Sequence, residues 1–265
     1  MGNVRKSHAQ NHVNQMKIFI SVPQQTATWF WNMANLITNS LRDCGHQITD
    51  FTNSELVIVI QHLPSYVPKV NDKKYILLQT EQKDHPTVNL ESYYGFGPNK
   101  IWGFGIDHPK EEYLCLGYHP CLEIPYNGPE DINVSFFGCG NPRRDNFFRT
   151  VRNKITGTAT WNYTDKIRNI KRSKINLNVH SFCSTRYTEW DRICLILANK
   201  AFLLSEEFYC PLPITQFKSS INYDENVDYY LQHEKERKDI TTNLYNLYKT
   251  KFDMRNILTS KLQGI

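Results

Sequence analysis

Two short runs, Leu56–Ile60 (LVIVI) and Tyr75–Leu78 (YILL), are apolar at every position, and they constrain the fold more than any other feature. A strand with one wet face alternates polar and apolar residues. A strand apolar on both parities must be covered on both faces, as in a parallel sheet between helical layers. The flanking segments fit that arrangement. Lys17–Val22 (KIFISV) has the β-branched and aromatic content of a strand. Ala27–Cys44 places Trp29, Phe30, Met33, Ala34, Ile37 and Leu41 at helical spacing, and Gly45 supplies a stop. Further strands are predicted at Gln47–Phe51, Glu55–Gln61, Lys74–Gln79, Lys100–Phe104 and Tyr113–Leu116. This strand–helix–strand order predicts a doubly wound α/β sheet.

The Pro- and Gly-rich stretch Ile124–Asp131 (IPYNGPED) reads as a linker. After it the pattern restarts with a strand at Asn133–Phe137 and a helix from Pro142 to about Asn153. Next come a strand at Lys154–Thr160, a short helix at Thr164–Arg172 and a strand at Ile175–Val179. A helix at Tyr187–Asn199, a strand at Ala201–Leu204 and mostly helix over Val227–Tyr248 follow. A chain of 265 residues has room for two domains of roughly 120–140 residues. The expected division is a flexible tail over 1–15, a Rossmann-like domain over 16–127, a second over 128–240, and a helical segment over 241–265 that packs back on the first. The expected fold class is α/β, two Rossmann-like domains facing a cleft.

Composition excludes several classes. Hydrophobic content of 40% and charged content of 22% suit a globular chain rather than a disordered one. No apolar run approaches the length of about 20 residues that a membrane helix needs. The polar N-terminus lacks the apolar core of a secretory signal. Seven cysteines form no CxxC pair and sit in apolar flanks, so free thiols in a reducing, cytoplasmic compartment are expected and a zinc site is not.

Charge is unevenly distributed. Residues 1–130 carry 10 Lys/Arg against 12 Asp/Glu, whereas residues 131–265 carry 21 against 14. Most of the excess lies in 143–174, with ten basic residues and two acids. Such a stripe suits a polyanion, either nucleotide phosphates or a nucleic-acid backbone, or else a solvated basic face.

The segment Asn133–Arg149 carries the most chemistry. A buried strand ends at Gly138 and Gly140, which permit a tight turn and close approach of a ligand. Asn141 is a favourable N-cap and Pro142 a favourable first helical residue, so a helix N-terminus is expected to offer free N–H groups to an anion. Arg143 and Arg144 add forked donors for phosphate oxygens. The loop is neither a Walker loop nor GxGxxG.

A second cluster, Asn178, His180, Ser181, Ser184, Thr188, Glu189, Asp191 and Arg192, follows the strand at 175–179. Thr188 and Asp191 have the spacing of a shortened capping box, and Glu189 and Arg192 lie one turn apart, as a surface ion pair or as a functional pair. Both clusters fall at the carboxyl ends of strands, where open α/β sheets bind ligands.

These two clusters resemble the C-terminal half of GT-B glycosyltransferases, especially short CgeB-like and group 1 (family 4-like) members. The resemblance rests on Phe137-Gly-Cys-Gly-Asn-Pro-Arg-Arg, on Ile175-Asn-Leu-Asn-Val-His-Ser181, and on Arg192-Ile-Cys-Leu-Ile-Leu-Ala-Asn-Lys-Ala-Phe-Leu-Leu-Ser205. It covers residues 130–237 strongly and the rest in general architecture. It implies a GT-B type fold and transfer of a sugar from a nucleotide-sugar donor to an acceptor hydroxyl, with no cofactor and usually no bound metal. The diphosphate would lie against Gly138, Gly140, Asn141, Arg143 and Arg144. Ser181, Thr188, Glu189 and Arg192 would face sugar or ribose. Where the pattern carries Glu and Gly, this chain has Leu195 and Lys200, so Glu189, Glu206 or Glu207 would have to replace the ribose-binding carboxylate, unless the donor site is altered.

Candidates for acid–base work at cleft-facing strand ends are His62, Glu81 and His119, with His108 beside them. The partners this implies are a nucleotide-sugar donor and an acceptor that is a glycan, a protein or a nucleic acid. Alternative readings are a nucleic-acid-binding protein, a DNA-base glycosyltransferase using the 143–174 stripe, or an inactive scaffold of the same fold.

Overall fold

Leu56–Ile60 is buried at all five positions, as a strand covered on both faces must be. The structure is a computed structural model that describes residues 15–22, 27–60, 67–81, 90–105, 111–159, 163–182 and 186–265. The expected tail (to residue 14), His62, His108 and Ser184 lie outside the described residues. The first sheet contains β1 (Lys17–Ser21), β2 (Gln47–Ile48), β3 (Leu56–Ile60), β4 (Lys74–Gln79), β5 (Lys100–Gly103) and β6 (Glu112–Tyr113). Its order is β2-β1-β3-β4-β5-β6, and every pairing is parallel. Among the described residues, α1 (Ala27–Asp43) and α2 (Leu90–Phe96) accompany it. On α1, Phe30, Met33, Ala34, Ile37 and Leu41 are buried, as the periodicity predicts.

The second sheet contains β7 (Ile132–Phe137), β8 (Gly157–Ala159), β9 (Ser173–Asn178), β10 (Leu203–Glu206) and β11 (Thr215–Phe217), ordered β11-β10-β9-β7-β8 and again all parallel. Its helices are α3 (Pro142–Thr150), α4 (Tyr163–Arg172), α5 (Trp190–Ala198) and α6 (Ser220–Gln232). The chain finishes in α7 (Glu234–Lys251) and α8 (Met254–Lys261).

Several boundaries move for identifiable reasons. Helix α3 ends at Thr150 because Asp224 takes the N–H groups of Arg152 and Asn153 at 2.8 and 2.6 Å. Helix α5 starts at Trp190 rather than Tyr187, because Thr188 donates its N–H to Phe104 O at 3.1 Å and Tyr187 bridges Gly105. The expected helix over 227–248 starts at Ser220 behind a Ser219 cap and breaks at His233, whose ψ of 61° leaves the helical region.

One apolar cluster runs through both halves. It joins Ile58, Ile76 and Trp102 of the first sheet to Trp190, Leu195, Leu203 and Tyr248. Two smaller clusters cover the outer faces of the two sheets. Helix α8 packs on α1, where Cys44 Sγ lies 3.5 Å from both Arg255 O and Thr259 Oγ1. Gly117 sits so close beneath the α7–α8 junction that a Cβ there would collide with Phe252 O.

Because the strands are parallel, each sheet has one carboxyl edge, and those edges meet. Tyr187 donates its hydroxyl to Thr80 O just beyond β4, and Thr188 is tied to Phe104 just beyond β5. The next residue, Glu189, is bonded to His180 just beyond β9. A cleft between two carboxyl edges is where this topology places a ligand.

Candidate functional site

The turn after β7 is built to leave backbone donors free. Asn141 caps α3 through its side chain, which accepts from Arg144 N at 2.9 Å, and its amide donates to Ser181 O at 3.2 Å. This ties the loop after β7 to the loop after β9. The N–H groups of Cys139, Gly140 and Asn141 have no partner among the described residues. A cap, Pro142 at the first helical position and three free N–H groups form an anion cradle at a helix N-terminus.

The expected arginines divide their roles differently from the sequence reading. Arg144 is 2% exposed. Its guanidinium donates to Val179 O and Cys139 O at 2.9 and 2.8 Å and lies over Phe136, so it braces the loop from beneath. Arg143 makes a forked pair with Glu206 and donates to His180 O at 2.7 Å. Arg192, expected on the sugar side, also reaches the turn. Its Nε donates to Phe137 O at 2.8 Å, its Nη1 to Asn178 Oδ1, and its Nη2 would stand 2.8 Å from a Cβ on Gly138. A Cβ on Gly138 would crowd both Arg192 Nη2 and the Phe136 ring, whereas a Cβ on Gly140 would meet only Asp145 at 3.6 Å.

Beneath the cradle lies a buried polar network. His180 Nδ1 lies 2.7 and 2.8 Å from the two carboxylate oxygens of Glu189. Asn178 donates to Glu189 at 3.2 Å and to Ser205 at 3.0 Å. Burial opposes the Glu189 charge, but His180, Arg192 and Arg144 outweigh it and hold the carboxyl at about 2. Burial likewise opposes the charged His180 ring, and Glu189 overrides it and raises its pKa. The Glu189–Arg192 surface pair is thus corrected to a buried His180–Glu189 pair beside Arg192. The capping box is also absent. Glu189 occupies the cap position without a side-chain bond, and Thr188 Oγ1 donates instead to Tyr209 O at 3.1 Å.

Leu195 is wholly buried within the shared core, so no ligand reaches it. Of the substitutes, Glu189 and Glu206 are already engaged by His180, Asn178 and Arg143. Glu207 keeps its carboxylate near solvent with Lys218 at 3.2 Å. Lys200 takes φ = +50° at the end of α5, the left-handed position that favours glycine at a helix C-terminus.

Glu81 follows β4, and its N–H donates to its own strand's Gln79 Oε1 at 3.1 Å. Its charge acts on Tyr187 and on Cys139 of the cradle, which places it across the cleft from the anion site. His119 does not join the cleft. It lies at the opposite edge of the sheet, with Nε2 3.1 Å from Asp43 at the end of α1 and Nδ1 accepting from Cys121 N. One ring nitrogen serves the turn that leads into residues 120–122 and the other the end of α1, so the catalytic expectation for His119 is set aside.

Sequence reading missed Glu111. Its carboxyl lies against Gly103 at the carboxyl end of β5, where a Cβ would collide with it. Burial raises its pKa from 4.5 to about 7. Gln79, in register with Gly103 on the neighbouring strand, has a buried Nε2 without a partner among the described residues. A Glu-Glu-Tyr run before a two-residue strand carries no signal that would single out Glu111.

The basic stripe is largely consumed inside the fold. Arg152 pairs with Asp228 and Arg172 with Asp131. Lys154 and Lys171 donate to backbone carbonyls, Lys174 donates to Asn133, and Arg144 and Lys166 are buried. Among the described residues no cluster of three or more His, Cys, Asp and Glu could hold a metal, and no helix is long and apolar enough to cross a membrane.

Two parallel sheets meeting at their carboxyl edges define the fold class: α/β, two Rossmann-like units facing a cleft, of GT-B type. No family model matches the chain, and no curated protein does. Among solved structures, the DNA-modifying enzyme β-glucosyltransferase, described with and without its substrate uridine diphosphoglucose, matches with a TM-score of 0.62 at 11% identity, covering 94% of this chain and 98% of that one. A T4 phage β-glucosyltransferase matches with a TM-score of 0.60 at 10% identity over 94% and 98% of the two chains. The T4 enzyme in complex with UDP and Mn2+ matches with a TM-score of 0.59 at 10% identity over 94% and 99%. At these identities the likeness is one of fold.

Proposed function

We propose that the chain is a glycosyltransferase that moves a sugar from a nucleotide-sugar donor to an acceptor hydroxyl. The observation that carries this reading is the cradle at Cys139–Asn141 with Arg192 Nη2 beside Gly138, set across the cleft from Glu81. The half over 128–240 holds the donor and the half over 16–127 the acceptor. The cradle and Arg192 take the diphosphate, and their fixed N–H groups stabilise the negative charge that grows as the nucleoside diphosphate departs. Arg144 and the His180–Glu189 pair position these donors without touching the ligand. Ser181, tied to the cradle through Asn141, stands beside the sugar. Glu207, the substitute carboxylate left near solvent, takes the ribose hydroxyls that Leu195 cannot.

On the acceptor side Glu81 is the base that receives the acceptor proton, and Glu111 with Gln79 lines the same edge. Neutralisation by protein cations and N–H groups makes transfer independent of a divalent ion, a point checked by comparing turnover in chelator with turnover in Mn2+. The described cysteines are unpaired. Burial pushes the Cys210 thiol up to about 12, and such inert apolar thiols suit a reducing compartment.

The test is a calorimetric screen of UDP-, GDP- and ADP-sugars with the free nucleoside diphosphates. One donor series should bind, and Gly138→Ala, which displaces Arg192 Nη2, should weaken it at least tenfold while the protein stays folded. A chain that binds none of the donors or diphosphates overturns the reading.

A further inference from the structure

The buried cationic side chains among the described residues, histidine aside, are Arg144, Lys166, Arg192 and Arg237. Three are engaged. Arg144 and Arg192 donate to backbone carbonyls and Asn178, and Arg237 donates to Tyr230 O and pairs with Glu130. Lys166 is different. It is 5% exposed, yet its ammonium makes no hydrogen bond and no ion pair among the described residues.

The position of that ammonium is specific. Lys166 lies in the first turns of α4, and its Nζ stands 5.4 Å from the centroid of Phe137, the last residue of β7. Arg192 lies 5.7 Å from the centroid of the same ring. Two cations therefore lie near the ring of the residue that leads into Gly138. The charged groups facing Lys166 are Asp191 and Arg192, with the Cys194 thiol, and burial is the largest influence on it, lowering its pKa. Asp191 lies beyond ion-pair distance, and the ring of Phe137 compensates only part of the lost hydration. A buried charge without a partner is costly and is kept where a ligand supplies the partner.

We propose that Lys166 is a ligand of the donor's diphosphate, completing the cradle formed by the Cys139–Asn141 N–H groups and Arg192 Nη2. This rests on the transferase reading above. Lys166 enters from α4, a different element from the β7–α3 turn, so the anion is held from two sides. As the bond from the sugar's anomeric carbon to the diphosphate oxygen breaks, its electron pair stays on that oxygen. Lys166 offsets the added charge without transferring a proton.

The experiment measures UDP, pyrophosphate and uridine binding by calorimetry in the wild type, Lys166→Met and Lys166→Arg, with thermal unfolding of each. Lys166→Met should weaken UDP and pyrophosphate by about 10–100-fold, leave uridine unchanged, and melt at or above the wild-type temperature, since methionine removes an unpaired buried charge. Lys166→Arg should recover most of the affinity. Unchanged UDP affinity in Lys166→Met overturns the assignment, as does equal weakening of uridine. If Lys166→Met does not fold, NMR of the wild-type lysine 13Cε resonances, assigned with Lys166→Arg, decides. UDP should raise the Lys166 titration midpoint, and an unmoved midpoint overturns the proposal. A wild type that binds pyrophosphate but no nucleoside diphosphate would sink the transferase reading and leave the anion site standing. Binding of UDP by wild type and Lys166→Met alike would do the reverse.

Discussion

At the scale of single residues, the site is governed by which charges have partners. Glu189 and His180 are buried and bonded to each other, so removing one strands the other. Glu189→Gln should cost about 3–5 kcal/mol, read by urea denaturation; a loss below 1 kcal/mol would show that the pair is not a stability element. Glu111 presents the opposite case, a half-buried carboxyl that burial raises from 4.5 to about 7, with no hydrogen bond or ion pair among the described residues. Its folded pKa lies above its unfolded value, so its contribution is full below pH 4.5 and is lost as pH rises through 7. Stability should therefore fall across that window, and Glu111→Gln should flatten the slope; an unchanged slope would assign the titration elsewhere. Lys200 holds a left-handed conformation, so Lys200→Gly should stabilise by about 1 kcal/mol, checked by the shift in unfolding midpoint.

At the scale of elements, the turn from β7 into α3 couples the cap to the ligand. Asn141 both accepts from Arg144 N and donates to Ser181 O, so Asn141→Ala should cost about 1 kcal/mol of stability and also weaken UDP. Loss of stability without loss of affinity would separate the two. This turn was legible in sequence because strand, glycine, cap and proline are local signals. So were LVIVI and the Ala27–Cys44 helix, each set by its own periodicity. What was not legible is set by contacts distant in sequence. Arg143 and Arg144 read alike, but Glu206 claims the first and Val179 O the second, and both partners lie over 30 residues away. His119 resembled a cleft residue until the end of α1 brought Asp43 to it. Lys166 could not be told from the other lysines of a basic run, because only the fold sets its ammonium against Phe137.

At the scale of the whole molecule, the C-terminal helices hold the halves together. Arg237 of α7 pairs with Glu130 ahead of the second sheet, Tyr248 of α7 donates to Leu116 O after the first, and α8 packs on α1. Gly117 leaves room for the chain between α7 and α8, and Gly117→Ala should destabilise by about 1–3 kcal/mol, with the loss shared by both halves in hydrogen exchange. Protection lost in the first sheet alone would show that the halves are not braced in this way.

The single apolar cluster that threads both sheets bears on how such a chain can change over generations. Modules that exchange between proteins are ones whose interiors close on themselves. Here Trp190, Leu195 and Tyr248 fill space beside Trp102 and Ile76, so either half cut away would expose the surface the other covers. Recombination that swapped only the donor-binding half would have to bring a matching acceptor-side interior with it. New specificities in this lineage are therefore expected to arise by substitution at the cleft edges and not by trading halves.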